Sequence, residues 1–421
     1  MAFHFSRDTK VFMKFTVDGA SATDTLYEIP VLDGYSFSQA TNSSEITLNE
    51  AADSSGNTKR GRAMFNDSFA PAEWSFSTYM RPTTSDANSV WVSGKHAGNS
   101  KKFAVEGPLW AAMSATTYDY GVGGNNDAIS GTAWEPNVFN FQNSNKVALG
   151  VFDLYFVLGA AKDSSTGMYT TGTDGVTIYK ISDCSIGSAS MDFDIEGLAQ
   201  VAWSGQGKKI KEVVQLKTTA GATDPAVAGE ESTTKGLVRE GVDSTSNYIR
   251  QKLTSLAIAF DVSDSTGAGE TADGEDQLLT DATYSVVLTG GNITIENNLT
   301  YLTPETLGSV NHPLGHVMGT RSVSGNFTCY LNSDNLGSMD LLEDLHEADD
   351  IITNSFDMTF SIGGASAPKV AVAVPNCHLE LPTHSIEDVI GVDVNFHALP
   401  ADLSASAASS SANEITITYT S

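Results

Sequence analysis

The sequence predicts an all-β protein in which one strand pattern occurs twice, with one short helix in each copy. Three observations lead there. Thr, Ser, Gly, Val and Ile are abundant, long Leu/Glu/Lys helical patterns are scarce, and 40% hydrophobic against 18% charged residues leaves enough apolar side chains for packed cores. Apolar and polar residues alternate with a period of two, most clearly over 186–204, where Phe193, Ile195, Ala199, Val201 and Trp203 interleave with Asp194, Glu196, Gln200 and Ser204. Finally, Trp74-Ser-Phe76-Ser-Thr-Tyr79 is echoed by Gly325-Asn-Phe327-Thr-Cys-Tyr330, and Asp183-Cys184-Ser-Ile186 by Asn376-Cys377-His-Leu379. Each of those cysteines is followed at one common distance by an alternating strand, Val201-Ala-Trp203 or Val394-Asn-Phe396.

Along the first half, residues 10–17 and 25–32 read as short strands, and Tyr35-Ser-Phe37-Ser resumes the pattern after the Asp33-Gly34 turn. Residues 42–62 mix Asn, Ser, Gly and charge, as in an exposed loop or hairpin arm. Residues 74–80 form a strand with Trp74, Phe76, Thr78 and Met80 on one face and Ser75, Ser77 and Tyr79 on the other. Glu106-Gly-Pro108-Leu-Trp110-Ala-Ala-Met113 predicts a short helix with Pro in its first turn. A Gly/Asn-rich loop covers 115–147, and 148–158 is a buried strand. Strands at 176–181 and 186–204 close the half.

Residues 217–245, rich in Thr, Ala, Gly and Glu and poor in aromatics, read as a linker. The second half opens at Tyr248 and has a polar loop at 262–276. Strands follow at 283–288, 292–299, 324–331, 357–362, 369–374, 379–381, 391–397 and 414–420. Between them Met339 to Ala348 forms a helix, its apolar positions 341, 342 and 345 lying on one side. At 421 residues the chain fits two or three domains. The division expected is 1–216, with extra residues inserted mainly within 115–172, then a 217–245 linker, then 246–421.

Charge narrows the function. Lys plus Arg total 23 against 51 Asp plus Glu, a formal net charge of −28, and the cations form no stripe. Gripping nucleic acid requires cations that displace counterions from phosphates, so the composition argues against direct DNA binding; the acidity fits either solubility in a salty medium and resistance to association, or a surface that repels polyanions. Cys184, Cys329 and Cys377 have neither a disulfide framework nor metal-ligand spacing and read as small core residues of a protein made in a reducing cytosol. The N-terminus lacks a signal-peptide pattern, and no apolar run approaches a membrane span of roughly 20 residues.

Motifs for chemistry fail one by one. His312 and His316 have the spacing of two zinc ligands on a helix, but Pro313 and Gly315 between them oppose a helix and no third ligand is evident. His378, His384 and His397 flank strand ends as polar surface residues. Gly205-Gln-Gly207-Lys208 resembles the end of a phosphate loop, yet Ala202 stands where the first Gly is needed and Lys209 where a hydroxyl is needed. Asp192, Asp194 and Glu196 fall on the wet face of a strand; paired carboxylates can act as acid and base, but a solvated face is the simpler reading. No catalytic residue, cofactor or metal site is expected.

Several segments resemble the major tail tube proteins of long-tailed bacteriophages: Phe5 to Val11, Leu32 to Ile46, Gly61 to Arg81, Ala189 to Ala199, Tyr248 to Ala257 and Ile293 to Leu302. The resemblance implies a β-sandwich or half-barrel with one flanking helix, whose strands join between subunits into a β-lined channel for DNA, in stacked rings of six modules. Members with one module per chain form hexamers; two tandem modules here would allow a trimeric ring with pseudo-sixfold symmetry, or a hexamer with the second module as decoration. Ring closure would hide the sheet edges that an antiparallel sheet otherwise exposes. Lumen-facing positions would be Asp194, Glu196, Gln200, Ser204, Asp393 and Asn395, and a one-residue register error would invert them. The arm reaching the next ring would carry Asn42, Glu45, Glu50, Lys59, Arg60 and Arg62. Other partners implied are the tape measure, a tube cap, a sheath and DNA in transit, with no membrane, in a virion tail assembled from protein made in the host cytoplasm. The competing readings are a cap or initiator forming a single ring, a secreted β-sandwich adhesin binding carbohydrate, and a hydrolase using the acidic strand face.

Overall fold

In the computed structural model, the described residues are 5, 8–15, 25–46, 54–56, 63–85, 101–114, 138–142, 149–159, 168–172, 175–217, 248–260, 283–303, 311–334, 336–347, 356–386, 389–404 and 413–420. They are overwhelmingly β. The first half holds β1 (Thr9–Phe15), β2 (Thr25–Ile29), β3 (Ser36–Ser38), β4 (Thr41–Ile46), β5 (Ala63–Phe69), β6 (Ala72–Tyr79), β7 (Pro82–Ser85) and β8 (Lys101–Ala104). Helix α1 (Gly107–Ser114) follows, then β9 (Val138–Gln142), β10 (Phe152–Leu158), β11 (Met168–Thr170), β12 (Thr177–Phe193), β13 (Gln200–Gly207), β14 (Lys209–Glu212) and β15 (Gln215–Lys217). The second half holds β16 (Ser255–Phe260), β17 (Thr283–Val286), β18 (Leu288–Glu296), β19 (Leu299–Leu302), β20 (Gly315–Met318) and β21 (Ser322–Tyr330). Helix α2 (Ser338–Glu347) precedes β22 (Phe356–Ile362), β23 (Lys369–Leu379), β24 (Thr383–Ile386), β25 (Ile390–Ala398) and β26 (Asn413–Thr420).

Two runs of antiparallel strands have the same pairing order. In the first, β3 pairs with β6, β6 with β13, β13 with β12, β12 with β10, β10 with β1 and β1 with β2. In the second, β18 pairs with β21, β21 with β25, β25 with β23, β23 with β22, β22 with β16 and β16 with β17. The runs share an irregularity: the three-residue step from Ile181 to Cys184 faces the two-residue step from Phe152 to Leu154, and the step from Val374 to Cys377 faces that from Phe356 to Met358. Asp183 meets this bulge in the left-handed region (φ 51), which Asp and Asn tolerate better than other non-Gly residues; Asn376 stands at the same position of the second run without that conformation.

One echo in the sequence is displaced. Trp203 pairs with Phe76, whereas the partner of Phe327 is Val394, so Trp203 corresponds to Val394 and not to Phe396. The slip is two residues and therefore keeps every side chain on its face. It also explains an exchange of sizes. Gly205 on β13 lies opposite Trp74 on β6, while Phe396 on β25 lies opposite Gly325 on β21. The same cross-strand position takes one aromatic ring and one glycine, with the two strands trading roles, because the ring lies over the site where a facing Cβ would stand.

The alternation over 186–204 is a hairpin and not one strand. β12 ends at Phe193, the chain turns through Asp194–Leu198 with Gly197 at φ +108, and β13 begins at Gln200. Two further expectations need correcting. The 115–147 stretch, read as loop, contains β9, which pairs with the last strand, β26; 369–374 and 379–381, read as two strands, are mostly the single strand β23. Residues 218–245 lie outside the described residues, as do 262–276.

The principal core runs through both halves, from Trp74, Trp110 and Trp203 to Phe327, Phe360 and Phe396, and a smaller one gathers Phe12, Tyr155, Tyr169 and Leu216. The two helices are placed differently. Every residue of α1 is buried, with Trp110 edge-on to Trp203 and donating to the Tyr419 hydroxyl of β26 at 2.8 Å. Helix α2 buries Leu341 and Leu342 while Met339 stays 48% exposed. A buried Arg321–Glu414 pair at 3.4 Å, with Arg321 also donating to the Gln142 carbonyl at 3.1 Å, ties β26 to β9 and to the turn before β21. Among the described residues no helix is long and apolar enough to cross a membrane.

Candidate functional site

The long strand β12 joins the two runs. Its first part, 177–184, pairs with β10. Its last part pairs with β13 on one edge and with β18 on the other, from Ser188 opposite Glu296 to Phe193 opposite Gly291. The order β3–β6–β13–β12–β18–β21–β25 is thus one continuous surface across both halves.

Alternation divides that surface by chemistry. Phe76, Trp203, Ala189, Met191, Ile293, Ile295, Phe327, Val394 and Phe396 point into the core. The opposite face is short and polar. Ser77, Ala202, Ser190, Thr294, Ser324 and His397 are successive cross-strand partners in one row over six strands. A second row runs Ser36, Ser75, Ser204, Ser188, Glu296 and Ser322. A third contains Asn292, Asn326 and Asn395. The depression between β3, β6, β12 and β13 is lined by Ser36, Ser38, Ser75, Ser188 and Ser204.

These side chains bond to one another. Ser36 Oγ is 2.8 Å from Ser75 Oγ, Ser188 Oγ is 2.8 Å from Ser204 Oγ, and Thr294 Oγ1 donates to Ser190 Oγ at 3.3 Å across the joint between halves. Asn326 Nδ2 donates to Asp393 Oδ1 at 3.1 Å, and Asn395 Nδ2 to Glu380 Oε2 at 2.9 Å. The Asn395 bond holds the half-exposed Glu380 below the usual carboxylate range, with His397 Nε2 3.5 Å away adding to the effect. These pairs satisfy part of the face internally, which leaves fewer of its groups to grip a ligand.

The expected site residues divide accordingly. Gln200, Ser204, Asp393 and Asn395 lie on the polar face, whereas Asp194 and Glu196 are exposed in the β12–β13 turn at its rim. The hairpin accounts for the division: the expected strand ends at Phe193, and beyond it the alternation no longer reports a sheet face. Sequence reasoning missed Ser188, Ser190, Asn292, Thr294 and Asn326; the Ser/Thr/Asn alternation with apolar residues was the available signal. The expected arm is a two-stranded ribbon, β4 with β5, tied by a bond from Asn42 Nδ2 to Ser68 Oγ at 2.9 Å. Asn42 and Glu45 are exposed on it, and Glu50, Lys59, Arg60 and Arg62 lie outside the described residues. Met64 and Phe65 on β5 are 59% and 60% exposed. At the base, Phe69 stacks on His312 at 4.7 Å. His316 sits on β20, 3.1 Å from Ser185 Oγ, and no group of metal-ligating side chains occurs among the described residues.

Comparison with known proteins agrees with this architecture. A family model described as phage tail tube protein matches residues 109–420. The tail tube protein pb6 of Escherichia phage T5 is 30% identical over 411 residues, a match spanning 96% of this chain and 74% of that protein.

Proposed function

Since the chain belongs to the phage tail tube protein family and is a structural component of the virion tail, we propose that its polar sheet face lines the bore through which double-stranded DNA leaves. The observation that carries this reading is charge. None of β3, β6, β13, β18, β21 and β25, nor the 185–193 part of β12, contains Lys or Arg. Phosphates are retained chiefly by cations that release counterions. Hydroxyls and amides bonded to each other, with scattered carboxylates such as Glu73, Asp192 and Asp393, give a passing phosphate nothing to hold. The chain acts by assembly and passive conduction.

The two strand runs support a second part of the reading. Each run is one tube unit, within 1–216 and 246–421, so three chains supply six units in a pseudo-sixfold ring. The polar rows favour this over a hexamer decorated by the second half, because both runs contribute to one shared face. The β4–β5 ribbon reaches the adjacent ring, and the tape measure and cap meet the bore and its ends. Electron microscopy of the purified protein, with rotational averaging, tests the proposal: rings that stack into tubes are expected, and a monodisperse monomer under all conditions would overturn it. Copy number in the particle separates a tube from a single-ring cap.

A further inference from the structure

Resting on the ring reading above, we infer that neighbouring chains join by antiparallel pairing of β24 of one copy with β3 of the next, in the register that β12 and β18 use within one chain. The internal joint supplies the template. The last part of β12 lies against β13 with Ser190 opposite Ala202; β24 lies against β25 with Thr383 opposite Asp393. Because Trp203 corresponds to Val394, Ala202 corresponds to Asp393, and Thr383 therefore occupies the place of Ser190. On the other side, β18 lies against β21 with Ile293 opposite Gly325, and β3 lies against β6 with Phe37 opposite Trp74. Gly325 and Trp74 hold the same exchanged position, so Phe37 occupies the place of Ile293.

Within the chain, Ser190 faces Thr294, Met191 faces Ile293 and Asp192 faces Asn292. Transferred between copies, these pairs become Thr383 with Ser38, His384 with Phe37 and Ser385 with Ser36. Both edges are open for the purpose: among the described residues β3 pairs only with β6 and β24 only with β25. An unpaired edge at each end of one surface, with a satisfied equivalent in its middle, is what a closing repeat requires. The polar rows would then pass from chain to chain without a break.

The test uses assembled tubes of the full chain. Ser36→Cys with Ser385→Cys should give disulfide-linked multimers within tubes under mild oxidation, read on non-reducing gels; the native cysteines are buried and leave the background low. Either single variant should remain monomeric, and Ser38→Cys with Ser385→Cys, displaced by two residues, should cross-link far less. Should the variants fail to assemble, hydrogen exchange on the unmodified protein decides, with the backbone amides of 36–38 and 383–386 gaining protection on passing from free chain to tube. Tubes in which these amides stay unprotected, or in which the displaced pair links as well as the matched one, overturn the inference and leave the tube reading standing. Failure of the unmodified chain to form rings overturns the tube reading itself.

Discussion

Glu106 is a fully buried carboxyl at the start of α1, accepting from the Tyr419 hydroxyl and from the Arg81 amide at 3.3 Å. Burial outweighs these bonds and raises its pKa to about 7. The folded state therefore holds a proton that the unfolded chain releases near the ordinary carboxylate value. This group's contribution to stability is complete below about pH 4.5, falls as pH rises towards about 7 and is gone above it. Glu106→Gln should flatten that part of the urea-midpoint profile, and a slope as steep as in the unmodified chain would refute the assignment. The glycines facing aromatic rings give a second residue-scale prediction. A Cβ at Gly325 would stand 2.7 Å from the Phe396 ring, and one at Gly205 would overlap the Trp74 ring. Either Gly→Ala change should lower stability by about 1–3 kcal/mol, seen as a fall in thermal midpoint. Residue types told part of this in advance. Cys184, Cys329 and Cys377 are buried thiols, as their strand contexts implied, and burial pushes Cys329 up to about 11. Nothing local to Glu106 distinguishes it from a surface acid, because its partner Tyr419 is 313 positions away.

Elements were legible wherever one face is apolar. β6, β21, β22 and β25 lie close to where alternation put them, and β10 falls within the apolar run read as a buried strand. The hairpin β12–β13 did not, because its turn, Asp194-Ile-Glu-Gly-Leu198, continues the apolar-polar rhythm while leaving the sheet; Ile195 is 51% exposed there. β9 was hidden because its partner is the C-terminal strand. At this scale the β4–β5 ribbon has the most to lose alone, since an isolated two-stranded hairpin is marginal in water. Met64 and Phe65 lie exposed on it. If it docks on the adjacent ring, Met64→Ser with Phe65→Ser should leave rings intact and raise the concentration needed for tube growth by about tenfold or more. Light scattering reads the growth, and unchanged growth would remove the ribbon from the stacking contact.

For the whole molecule, the net charge of −28 argued against a grip on nucleic acid, and the family resemblance implied a tube; neither revealed that Ser, Thr and Asn, more than acids, make the polar face. Ser190→Lys with Thr294→Lys puts two cations where the halves meet. Tubes should still assemble, while DNA release slows at low salt and recovers as salt rises, with the logarithmic salt slope steepening by about one for each phosphate contacted. Release that is unchanged would show that this face does not meet DNA. The β12–β18 joint has a further bearing on how a virion is built. A ring of separate units must find every neighbour by collision; in the six-unit ring proposed above, alternate neighbours would arrive already tethered, at an effective concentration set by the chain and not by the cell. Dilution, which strips free subunits from a growing end, would not separate those pairs, so in that ring fusion would favour the completed hoop when supply of the protein is scarce.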